Sequence, residues 1–175
     1  FNAMNENVYG QRFPEEVRWT GRLQTLLGEN WTVIEEGLCG RTTVFEDPLR
    51  EGLNGLQYLG PCLATHNPID YLILMLGTND CKTYNHASAD RIGKGIEKLI
   101  QQIRKADPAI DILLVSPIEL GEDVWKPGFD LEFNQHSVKV SKQLKQTYLK
   151  IAWKYGCDFL AASDVAKPSK ADMEP

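Results

Sequence analysis

Gly77-Thr78-Asn79-Asp80 directly follows an unbroken apolar run, Tyr71 to Leu76. A carboxamide held at a strand end can donate N–H to an oxyanion forming on a substrate. The preceding glycine lets the backbone turn sharply. The same residues also suit an ordinary polar turn, since Asn and Asp are common turn formers. A second segment, Glu35 to Thr43, contains Gly37 and Gly40 and follows a short apolar stretch, Trp31 to Ile34. A glycine there lets a backbone N–H approach a ligand closely, although strand-to-helix turns are commonly glycine-rich. Arg41 could hold an acidic substrate group, but a salt bridge to Glu46 or Asp47 is the favoured reading. Trp125, Phe129 and Phe133 cluster in and after an irregular loop, Gly121 to Phe129. They fit a pocket wall or a subunit contact equally well.

Other reactive side chains point elsewhere. Ser116 ends an apolar run and reads as a cap or turn residue. His66 reads as a cap, His86 as solvated and His136 as an exposed helix residue. Cys39, Cys62, Cys81 and Cys157 show no CxxC spacing, and the histidines are scattered, so neither a zinc site nor any cofactor is expected. Isolated cysteines read as free thiols of a reducing compartment, which places the protein in the cytoplasm. Phe1 is not a natural start, so a signal peptide upstream stays open.

Elements must hold these residues in place, and the composition suits one domain with a sizeable core. The chain has 175 residues, 42% of them hydrophobic and 25% charged, with a formal charge of -5. Mixed acidic and basic residues argue against a nucleic-acid surface, and no apolar run is long enough to span a bilayer. Strands are expected at 31–35, 71–76, 110–115 and 157–160, the 71–76 run being apolar throughout as in a strand buried on both faces. Helices are expected from Pro14 to about Leu27, with Val17, Leu23, Leu26 and Leu27 on an apolar face, and over about 53–65, 87–105 and 132–155. Trp19 and Trp153 read as core residues of their helices. The alternation implies an α/β fold, a three-layer α/β/α sandwich with a parallel, flavodoxin-like sheet. In such a sheet chemistry gathers beyond the C-terminal strand ends, here in loops 37–43, 77–84 and 117–130.

Together the two glycine-containing segments resemble the second and third conserved blocks of the SGNH (GDSL-type) hydrolases. Arg18-Trp19-Thr20-Gly21, Asp47-Pro48, Leu53-Asn54-Gly55, Tyr58-Leu59, Cys62 to His66 and Met75 to Asp80 extend the likeness to the arylesterase/acyltransferase branch. The resemblance covers most of residues 12 to 118. It implies acyl transfer from a small carboxylic ester to water or another alcohol, by a serine, a histidine base and an aspartate that orients it. It implies an oxyanion hole with the Gly40 N–H and the Asn79 carboxamide. Thr78, Asp80, Arg41, Trp125 and Phe129 are then expected at the substrate, and a homo-oligomer is possible. The family's Gly-Asp-Ser and Asp-x-x-His motifs do not occur in these residues. A single domain, 1–175, truncated at both ends is therefore expected, with roughly 15–20 residues missing upstream and 25–40 downstream. The alternative is a binding module on the same fold that has lost its triad. A nucleotide binder is disfavoured, because no Gly-rich phosphate loop follows any visible strand.

Overall fold

The computed structural model describes residues 13–170, 173 and 174. It divides into two compact units at Gly40/Arg41. In the first, helix α1 spans Trp19–Leu27 and stops at Gly28, whose positive φ of 75° favours glycine. Pro14 does not start this helix. Its carbonyl closes a turn on the N–H groups of Val17 and Arg18, and the helix begins after it. The expected apolar face is not buried, since Val17, Leu26 and Leu27 are exposed and Gly21 is the buried residue of α1.

Residues 31–35 form no strand among the described residues. A strand exists by its ladder, and here the backbone is bonded to a side chain instead. Val33 N donates to Gln24 Oε1 at 2.6 Å, and Gln24 Nε2 donates to Trp31 O at 2.8 Å. Trp31 and Ile34 are about half exposed, so no burial selects a register either.

The second unit holds α2 (Gly55–His66), β1 (Tyr71–Leu74), α3 (Ala89–Ala106), β2 (Asp111–Ser116), α4 (Gln135–Tyr155) and β3 (Asp158–Ala161). The strands run β1-β2-β3, and both pairings are parallel, with Tyr71 opposite Asp111 and Leu113 opposite Asp158. The helices start where side chains satisfy orphan N–H groups: Asn54 caps α2, Ser88 caps α3, and Asn134 with Ser137 forms a capping box on α4. Helices α3 and α4 pack on each other, and α4 packs on β2 and β3. Two like-handed crossovers stepping one way across a sheet put their helices on one face.

That face takes alternate residues as far as Leu114, after which Val115 and Ser116 are both buried. Leu74, Ile112 and Leu114 are buried, whereas Ile73 and Leu113 are half-buried and Leu160 is 43% exposed. The 71–76 run is thus not buried on both faces among the described residues. The core is Ile92, Ile96, Leu99, Ile100 and Ile103 of α3 against Val140, Leu144, Tyr148 and Ile151 of α4. Trp153 is not in it, being 85% exposed, and Trp19 is 39% exposed. Trp153 lies five residues past Tyr148, about 140° round the helix, so its apolar neighbours in sequence are not its neighbours in space.

Candidate active site

The chain leaves β1 through Leu76 and Gly77, and two features of α4 fix how it turns. Tyr148 is fully buried, and its Oη donates to Leu76 O at 2.7 Å. Gly77 sits at φ 125°, where a side chain would be strained, and a Cβ there would lie 2.3 Å from that Oη. A short 3-10 turn, Asn79–Cys81, follows at the C-terminal edge of the sheet.

Asn79 is half-buried, and its Nδ2 donates to Arg41 O at 3.1 Å. A carboxamide has two N–H groups, and the second has no protein partner among the described residues. Asn85 Nδ2 holds Asn79 O from below at 3.1 Å. Asp80 is fully buried, and its carboxylate accepts Thr43 N at 3.0 and 3.1 Å and the Thr43 hydroxyl. Burial pushes this carboxyl up to about 6, and the bonds from Thr43 offset part of the rise. Arg41 to Thr43 are thus tied to the Asn79 turn at two points.

A charge network borders the same turn. The Lys82 ammonium, on a side chain only 5% exposed, meets Glu132. Arg50 Nη2 lies 2.8 Å from Glu132 Oε2 and 2.7 Å from Asp47 Oδ2, and Tyr84 Oη donates to Asp47 at 2.7 Å. Burial pushes the Asp47 carboxyl up, yet the bonds from Arg50 and Tyr84 outweigh it and hold the group well below the carboxylate range. Glu132 is lowered against burial in the same way, by Lys82 and Arg50.

The description "GDSL-like Lipase/Acylhydrolase family" matches residues 8–175. The chain belongs to this family.

Solved structures agree with it. The carbohydrate acetylesterase Est24 from Sinorhizobium meliloti is 35% identical over 98% of this chain and 82% of its own, with a TM-score of 0.88. The aryl esterase of M. smegmatis is 35% identical over 94% and 79%, with a TM-score of 0.87. A structure described as a putative arylesterase from Agrobacterium tumefaciens is 29% identical over 99% and 84%, with a TM-score of 0.85. No curated protein matches the chain. This GDSL-like acylhydrolase is a carboxylic ester hydrolase, and the α/β class with a parallel sheet is the one the sequence led us to expect.

Within the second unit of this acylhydrolase, the sequence-derived residues part company. Asn79 and the Arg41 backbone meet. Asp80, expected at the substrate, is wholly buried with its carboxylate clamped by Thr43. The Arg41 side chain is only 9% exposed, with its guanidinium 3.8 Å from the Tyr58 ring centroid. Of the carboxylates expected beside it, Asp47 accepts from Arg50, and Glu46 accepts from Asn54 and Gln57. Thr78 is half-buried beside Asn79. Trp125 and Phe129 are half-buried, Trp125 donating Nε1–H to Glu122 O at 3.0 Å, while Phe133 is core. Ser116 is buried, His66 ends α2, and His86 and His136 are exposed. In the first unit, Gly40 is buried at φ 83°, a conformation that favours glycine.

Sequence reasoning missed Thr43, Lys82, Glu132 and Tyr148. Thr43 closes the recognised Glu35 to Thr43 segment and Lys82 lies two residues past Asp80, which was the available signal. Glu132 is 50 residues from Lys82 and 82 from Arg50, and no local pattern links them. All four cysteines are free thiols. No helix of the described residues is long and apolar enough to cross a membrane.

Proposed function

We propose that this hydrolase cleaves small carboxylic esters through an acyl-enzyme, with the Asn79 carboxamide and the Gly40 N–H as oxyanion donors. The observation that carries the reading is the state of Asn79. Its carboxamide stands just past a strand end, is fixed by one N–H on Arg41 O at 3.1 Å, and keeps a second N–H for a ligand. A donor held this way needs no reorganisation as charge develops, which is how oxyanion sites lower barriers. Thr78, Trp125 and Phe129 are the residues we assign to substrate contact.

Est24 is described as a carbohydrate acetylesterase and the M. smegmatis protein as an aryl esterase. By that likeness we assign short acyl esters of sugars or aryl alcohols, with water or a second alcohol as acceptor. The four free thiols support a cytoplasmic setting. The mixed acidic and basic residues at net -5 argue against a nucleic-acid partner, and the half-buried Trp125 and Phe129 would serve a homo-oligomer contact as well. The test is hydrolysis of p-nitrophenyl esters of increasing acyl length by the full-length protein. Turnover falling steeply beyond short chains is expected, and no turnover of any ester would overturn the proposal in favour of a binding module.

A further inference from the structure

Glu132 joins three stretches of chain that are distant in sequence. Its carboxylate meets the Lys82 ammonium and lies 2.8 Å from Arg50 Nη2, while its backbone carbonyl accepts Thr83 N at 2.8 Å. Lys82 is 4% exposed, and a nearly dry ammonium needs its counter-charge. The same lysine donates its backbone N–H to Asn79 O at 3.2 Å. A chain of bonds thus runs from Glu132, through Lys82, to the Asn79 peptide. Phe133, next to Glu132, is core, and its ring centroid lies 5.7 Å from Lys82 Nζ. The backbone at 132 is therefore anchored beside the core.

We propose that Glu132 is a positioning residue for ester hydrolysis: through Lys82 and the Thr83 N–H it fixes the turn on which the Asn79 carboxamide is mounted. The inference rests on reading Asn79 as an oxyanion donor. Such a donor acts only when it stands within about 2.7–3.1 Å of the developing charge. A small displacement therefore lowers the rate while ground-state binding, made elsewhere, is spared. Glu132 also lies on the segment that carries Trp125 and Phe129, so one side chain registers both the donor turn and those residues.

The test is steady-state kinetics on p-nitrophenyl acetate with the full-length protein, each variant checked by its thermal unfolding midpoint. Glu132→Gln keeps the size and the backbone bond to Thr83 but drops the charge. It should lower kcat about tenfold with KM within about twofold of wild type. Glu132→Asp should recover part of the loss. The double variant Lys82→Met/Glu132→Leu buries no orphan charge, so its unfolding midpoint should recover while its kcat stays low. If Glu132→Gln does not fold, Glu132→Asp and the double variant carry the same comparison. A folded Glu132→Gln enzyme with unchanged kcat, beside an Asn79→Ala enzyme that has lost turnover, would overturn the role of Glu132 alone. So would a double variant whose kcat returns together with its midpoint. If Asn79→Ala itself keeps turnover, the oxyanion reading falls first and the Glu132 role with it.

Discussion

A carboxamide is useful at a reacting centre only if something holds it, and Asn79 is held twice. Its Nδ2 is fixed on Arg41 O, and its own carbonyl is fixed by Asn85. Alanine at this position removes the donor and leaves the turn's backbone bonds in place. Asn79→Ala should therefore lower kcat by about 10²–10³-fold, or about 2.7–4 kcal/mol, with a much smaller change in KM. Asn79→Asp should be at least as harmful, because a carboxylate presents negative charge to a forming oxyanion and to Arg41 O. Kinetics on one short ester, with circular dichroism as the folding control, measures this. A well-folded alanine variant within about threefold of wild-type kcat would remove Asn79 from the oxyanion hole.

Elements decide whether such residues reach their places, and their legibility varied with how local the cause was. The runs Tyr71 to Leu76 and Ile110 to Val115 announced β1 and β2, because apolar β-branched stretches between helical periods have few other solutions. The last helix was expected from about 132, and the Asn134 cap starts it at Gln135 instead. Trp31 to Ile34 looked alike in sequence but has no ladder among the described residues, where Gln24 bonds its backbone. Pairing is a property of two segments, and one segment's composition cannot supply it. The site followed the same division. Asn79 was legible from its place after a strand, whereas the burial of Asp80 and Arg41 depends on contacts with Thr43 and Tyr58 that no local pattern supplies. The α4–β1 joint gives a prediction at this scale. Gly77→Ala must strain φ 125° and drive a Cβ against Tyr148 Oη, so it should destabilise by about 2–4 kcal/mol in urea unfolding. Adding Tyr148→Phe should return part of that loss by removing the hydroxyl. A Gly77→Ala protein as stable as wild type would mean the joint bends freely.

At the scale of the whole molecule, two groups of carboxylates pull stability in opposite directions with pH. Asp47 and Glu132 are held below the ordinary range by Arg50, Tyr84 and Lys82. A lowered folded value contributes stability that is present above the unfolded pKa and fades as pH falls below it. Asp80 acts the other way. Burial raises it from 3.8 to about 6, while Tyr148 and Cys81 add no positive charge beside it. Between these values the native state holds a proton that the unfolded chain has released, so stability falls as pH rises from about 4 to about 6 and then levels. Two pKa units correspond to about 3 kcal/mol, an upper figure for this one group. The fold should therefore be most stable in mildly acid buffer, near the crossing of the two trends. Asp80→Asn keeps an acceptor for Thr43 and removes the titration. Its stability relative to wild type should improve as pH rises from 4.5 to 7.5, because only the wild type then buries a charge there. Urea unfolding of both proteins at those two pH values measures the difference, and parallel pH profiles would show that Asp80 keeps an ordinary carboxylate pKa in the fold. Lys82→Met should act on the opposite limb, leaving Glu132 without its buried partner and costing stability most where that carboxylate is ionised. The two variants separate the limbs by sign, because the Asp80 change removes a fall in stability as pH rises from about 4 to about 6, whereas the Lys82 change weakens the rise in stability that Glu132 contributes as it ionises.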